Sequence, residues 1–273
     1  MNFSFANLQA ANLATSLVAR VNAQIGQTAT LDEQPEIDQA PGQRGEVLLD
    51  QPDSFVQLSY DPSSNVPKAF AFKANENLSA ADGTVVVAAG TETSYSAAAD
   101  KETFRLHVPV EGGVAKQEAV LDNQAQMLLL SDGSVSVEVP FSVLPAAQAT
   151  SALVQKLQLQ IQQTAEADEQ QGTDKAIGKP GQVMLEDEGS AVSLSVDMST
   201  GLPQAFSFQA TQNLAAADGT VVVAAGTATR YQRQGNIETF SQDIPTDQGV
   251  VRQQAVLDNE KQTVEFDEFI LNP

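Results

Sequence analysis

Polar and apolar residues alternate along most of this chain. In "FVQLSY" (Phe55–Tyr60), Val56, Leu58 and Tyr60 stand against Gln57 and Ser59. In "AVSLSV", Val192, Leu194 and Val196 stand against two serines. "AFAFKA" puts Phe70 and Phe72 on one face, as "AFSFQA" does with Phe206 and Phe208, and "FRLHV" aligns Phe104, Leu106 and Val108. A period of two with one polar face is the pattern of a half-buried strand. The spacing of these runs predicts antiparallel meanders of roughly seven to nine strands each.

Two stretches break the pattern. In "ATSALVQKLQLQIQQTAEADEQ" (Ala149–Gln170), Ala149, Leu153, Leu157, Ile161 and Ala165 recur every fourth residue. Leu13, Leu17, Val21, Ile25 and Ala29 form the same column earlier. Ala, Gln and Leu favour helix, and Pro145 before the run fits a helix start. Yet Leu157, Leu159 and Ile161 also alternate as a strand would. The pattern leans to helix for 10–30 and 146–168 and leaves strand open. The expected fold class is mainly antiparallel β, sandwich- or barrel-like meanders, or an α+β unit with one N-terminal helix per repeat.

The chain aligns with itself at an offset of 136 residues. "PKAFAF" at Pro67 meets "PQAFSF" at Pro203, and "QEAVLDN" at Gln117 meets "QQAVLDN" at Gln253. This reads as two tandem duplicated domains, 1–136 and 137–273, with the boundary near Ser131–Pro145. "DPSSNVP" (Asp61–Pro67) pairs with "DMSTGLP" (Asp197–Pro203). Asn65 and Gly201 fall at the same place and share tolerance of a left-handed backbone. Both segments are expected to be hairpin loops, with Asp61 and Asp197 bonding back to turn amides. One stretch, "AADGTVVVAAGT", is repeated letter for letter at Ala80–Thr91 and Ala216–Thr227. Its Asp-Gly pairs, Asp82–Gly83 and Asp218–Gly219, suggest turns. Its valines suggest a short buried strand, core scaffold where packing tolerates the fewest changes.

Composition narrows the function classes. Lys and Arg number 14 against 35 Asp and Glu, a net charge of −21. Such a chain repels nucleic acid. The acidic residues keep a surface soluble and leave room for a cation or a basic partner. There is no cysteine, so disulfides and thiolate chemistry are excluded. No apolar run approaches a membrane span. The opening residues lack a basic region before an apolar one, so the expectation is a chain that stays where it is made or leaves by a non-classical route. The compartment itself is not legible.

Catalytic constellations are sparse. The single histidine, His107, sits on the polar side of its strand and aligns with Asp243, which reads as a surface position. One histidine allows neither a His-based triad nor a two-His metal site within the chain. No G-x-S-x-G elbow and no phosphate-binding glycine loop occurs. Carboxylates are the abundant functional groups. The loops Leu31–Gly42 and Ala167–Gly178 share a D-E-x4-D spacing. Asp32, Glu33 and Asp38, with Asp168, Glu169 and Asp174, are therefore candidate ligands for calcium, which takes clustered hard oxygens. A solvated loop is the plainer alternative.

The resulting expectation is a non-catalytic structural or interaction module, part of an assembly or a cell surface. A protein partner or self-assembly fits better than a small molecule. A carrier with an apolar ligand in a β cup is the first alternative. A carboxylate-dependent hydrolase is the second.

Overall fold

The computed structural model describes residues 1–32, 34, 36–40, 43–167, 174–176 and 179–271. In chain order the first elements are β1 (Asn2–Ser4), α1 (Phe5–Ala29), β2 (Glu46–Asp50), β3 (Ser54–Asp61), β4 (Val66–Ala74), β5 (Leu78–Ser79) and β6 (Val85–Val87). Then come β7 (Glu92–Ala98), β8 (Lys101–Val110), β9 (Gly113–Asp122), β10 (Met127–Ser131), β11 (Ser136–Pro140) and α2 (Leu144–Ala167). The remainder is β12 (Gln182–Glu186), β13 (Ser190–Asp197), β14 (Leu202–Ala210), β15 (Leu214–Ala215), β16 (Val221–Val223), β17 (Ala228–Gln234), β18 (Ile237–Thr246), β19 (Gly249–Asp258) and β20 (Thr263–Leu271).

The chain divides into two compact units. Gln9–Leu144 forms one, called here the N unit; Met1–Leu8 with Pro145–Pro273 forms the other, the C unit. The N unit holds an eight-stranded antiparallel sheet in the order β11-β10-β9-β8-β7-β4-β3-β2. The C unit's sheet runs β1-β20-β19-β18-β17-β14-β13-β12. Chain neighbours pair throughout each meander, apart from two small insertions, β5-β6 and β15-β16. β1 is the exception in sequence. It comes from the start of the chain and pairs with β20, Phe3 opposite Val264.

Both ambiguous stretches are helices, for a physical reason. In α1, Ala10, Ala14, Leu17, Val21 and Ile25 are buried, a seam stepping by three and four. In α2, Thr150, Leu153, Leu157 and Ile161 are buried, whereas Leu159 is 55% exposed. A strand would have buried Leu159 with Leu157 and Ile161. Ser4 caps α1 by accepting the Asn7 amide at 3.1 Å.

The expected second sheet of a sandwich is replaced by the helix. Leu17, Val21 and Ile25 of α1 pack in one cluster with Leu58, Phe70 and Phe104 from the sheet. Rows of small residues, Ala10 and Ala14, let the helix lie close to the strands. In each unit a tyrosine tilts over a phenylalanine, Tyr95 on Phe104 and Tyr231 on Phe240, both with ring centroids 4.9 Å apart. A buried polar tether joins helix to sheet. Thr93 Oγ1 donates to Gln24 Oε1 at 2.8 Å in the N unit, and Thr229 Oγ1 to Gln160 Oε1 at 2.8 Å in the C unit.

The hairpin loops form as the sequence suggests. β3 pairs with β4 and β13 with β14, each with a bulge at the same place, Ser59/Tyr60 and Ser195/Val196. Asn65 and Gly201 both take the left-handed backbone, with φ of 54° and 70°.

The valine run is where the reading from sequence has to be corrected. β6 and β16 are not buried core strands. Each belongs to a separate two-stranded hairpin, outside the main sheet. Val86 is 61% exposed and Val222 63%. Three residues are too short to cross a sheet, so the run folds back on β5 or β15 instead.

Candidate functional site

The acidic loops come first because the sequence pointed to them. Asp38 is buried, and its Oδ1 accepts the Ala40 amide at 3.0 Å and the Leu48 amide at 2.8 Å. Asp174 is buried in the same way, accepting from Ala176 at 2.9 Å and Met184 at 2.7 Å. In each loop the next residue's amide bonds back to the same strand, Gln39 to the Leu48 carbonyl and Lys175 to the Met184 carbonyl. The two aspartates thus extend a strand ladder into the loop. Asp38 Oδ2 is buried without a hydrogen-bond partner, and a single carboxylate oxygen does not make a cation site. Asp32 faces elsewhere: the Tyr60 hydroxyl donates to its Oδ2. Glu33, Asp168 and Glu169 lie outside the described residues. Among the described residues, no three His, Cys, Asp or Glu side chains group closely enough to hold a metal.

His107 lies opposite Glu92 on neighbouring strands, its Nδ1 4.0 Å from the carboxylate. At the matching place, Asp243 is buried and takes three charged donors. Arg252 reaches it twice, at 2.6 and 2.7 Å, and Arg230 once, at 2.9 Å. Hydrogen bonding from Arg252, more than from Arg230, holds the Asp243 carboxyl below the usual range. The turn aspartates shift in the same direction. Ser63 lowers Asp61, Ser199 lowers Asp197, and backbone amides of Thr84 and Thr220 lower Asp82 and Asp218. A general acid would need the opposite shift.

The two hairpins are built by polar bonds rather than by apolar burial. Asp82 Oδ1 accepts the Thr84 amide at 2.9 Å, and Gly83 takes φ +83°. Asn77 Oδ1 ties down the Ala89 amide at 2.8 Å at the hairpin base. The second hairpin repeats these bonds through Asp218, Gly219 and Asn213. None of them involves a valine side chain. β6 and β16 each pair with one strand and leave the other edge unpaired by any strand among the described residues.

The N unit also contains a cleft of about 420 Å³ where the end of α1 meets β3 and β4. Ile25 and Ala29 of the helix and Leu58 and Pro67 of the strands supply its apolar wall. Asn22, Tyr60 and Asn65 supply polar groups. Gly26 also lines it, with nothing within 4 Å of where a Cβ would sit. Sequence reasoning missed this cleft because its parts come from separated segments, each unremarkable alone. The clefts described in the C unit are smaller, about 190 to 250 Å³, and share only Leu194 and Pro203 with the matching positions, in two separate clefts.

No protein-family model, curated protein or solved structure matches this chain.

Proposed function

We propose that this chain is a non-catalytic structural module, made by tandem duplication of one β-rich unit, that assembles with further copies of itself through its two valine hairpins. One observation carries the reading: the twelve residues Ala80–Thr91 and Ala216–Thr227 are identical, and Val85, Val86, Val221 and Val222 within them are exposed.

Buried positions stay alike because packing restricts them. Exposed loops drift, as Asp61–Pro67 and Asp197–Pro203 have. The hairpin fold itself needs Asp82, Gly83 and Asn77, not three valines. A contact outside each unit accounts for keeping them. An edge strand with apolar side chains and unpaired backbone is a ready template for another strand. Identical hairpins let either one of a chain meet either one of the next copy in the same way, which suits self-association.

Charge favours the same place. Copies bearing −21 repel each other, yet each twelve-residue stretch holds one ionisable group, Asp82 or Asp218. Two hairpins per chain make it bivalent, so copies can link into extended or ring-shaped oligomers. Sedimentation velocity tests this at about 0.05 M and about 0.5 M salt, where screening weakens the repulsion. Mass should grow with salt and protein concentration, and a Val86→Asp, Val222→Asp double variant should stay monomeric. A monomer under all conditions, or a double variant that assembles like the wild type, contradicts the proposal. So does association only with an added basic protein, weakening as salt rises.

A further inference from the structure

Independently of self-assembly, we propose that the cleft between α1 and the β3–β4 hairpin is a binding site for a small organic amine with an apolar body. Its volume of about 420 Å³ lies at the lower end of the range usual for small-molecule sites. Ile25 and Leu58, both buried, give it an apolar floor. Asn22 and Asn65 stand on its exposed rim. Among the described residues, no Lys or Arg lines it. The Tyr60 hydroxyl, on the cleft wall, donates to Asp32, which sets a negative charge next to a lining residue. An ammonium head can share that carboxylate while the alkyl body covers Ile25 and Leu58. A carboxylate or phosphate ligand would meet repulsion there.

One residue that lines the cleft works against the helix. Gly26 lies in the last turn of α1, where glycine is less favourable than almost any other residue. No close packing accounts for it, since the space where its Cβ would sit is empty. The C unit has Gln162 at the matching position, Val196 in place of Tyr60, and Gly201 in place of Asn65. A glutamine at 26 would put a polar side chain at the lip of the cleft, and a valine at 60 would remove the hydroxyl that holds Asp32. Among the described residues, the N unit therefore combines open space, an apolar floor and an anchored carboxylate.

The test uses methyl-labelled full-length chain titrated with hexylammonium, and with hexanoate as the matched anion. Hexylammonium should move the Ile25 and Leu58 methyl resonances at millimolar concentration, and hexanoate should not. Gly26→Gln should weaken binding at least about tenfold and Asp32→Asn about fivefold, the effects of losing the space and of losing one partly exposed charge-assisted contact. If Gly26→Gln fails to fold, Asp32→Asn decides. Absence of any shift, equal binding of hexanoate, or unchanged binding in a folded Gly26→Gln or Asp32→Asn variant overturns the proposal.

Discussion

At the seam between helix and sheet the two units match closely. Gln24 and Gln160 each accept a threonine hydroxyl at 2.8 Å. Leu17, Val21 and Ile25 are answered by Leu153, Leu157 and Ile161, all buried. The tyrosine–phenylalanine pairs have the same 4.9 Å separation. Away from the seam the units part. Gly26 faces Gln162 in the alignment, Tyr60 faces Val196, and His107 faces the arginine-bound Asp243. At the seam, similarity follows burial. The valine hairpins are identical although largely exposed, and this is why they carry the functional proposal.

Substitutions at matched positions can break or sharpen this comparison. The largest effects belong to the edge strands. Phe3, from β1, and Val139, from β11, are both buried at the outer edge of a sheet. Phe3→Ala should cost about 3 kcal/mol and Val139→Ala about 2 kcal/mol. Residue-level hydrogen exchange should place the first loss in β20 and the second in β10. Exchange that speeds up in β10 after Phe3→Ala would contradict the pairing of β1 with β20.

Next come the buried tethers. Gln24→Ala and Gln160→Ala each leave a buried threonine hydroxyl without its acceptor, at about 1–2 kcal/mol. Denaturant unfolding should give similar losses for the two, and a large inequality would break the match at the seam.

Asp243→Asn should cost about 1 kcal/mol at neutral pH, discounted because both arginines reach solvent. The folded-state pKa of Asp243 is depressed. Its contribution is therefore present above the unfolded carboxylate value, about 3.9, and is lost as pH falls through the lower folded value. A melting series from neutral pH into acid should show wild type and variant converging as Asp243 protonates. His107→Asn, at the matched place, should change stability by less than about 0.5 kcal/mol. Val86→Asp and Val222→Asp should be equally mild for folding, since the valines are exposed.

Much of the fold was legible in the sequence because strand periodicity is local. Val56, Leu58 and Phe70 alternate visibly, and the interchange of Asn65 with Gly201 gave away the left-handed turn. The helical column was read correctly at Leu17, Val21 and Ile25 but not at Leu13, which is 48% exposed. An α-helix advances about 100° per residue, so a strict four-residue column drifts by about 40° per step. Over several steps it leaves the buried face, and Ala14 and Ala10 take over. The valines misled because three apolar residues between turns look alike in a core and in a surface hairpin. Two features depend on contacts between distant segments. The pairing of Phe3 with Val264 and the placing of Gly26 and Tyr60 around one cleft leave no local trace in the sequence.

The bivalent reading makes a sharper demand than assembly alone. With one hairpin disabled, a chain keeps a single self-complementary edge and can join only one other copy. Sedimentation equilibrium of Val86→Asp and of Val222→Asp, each alone at about 0.5 M salt, measures this directly. The account predicts that each single variant stops at a dimer while the wild type continues to larger species. Growth of either single variant beyond a dimer, or a monomer in one and wild-type assembly in the other, would contradict it.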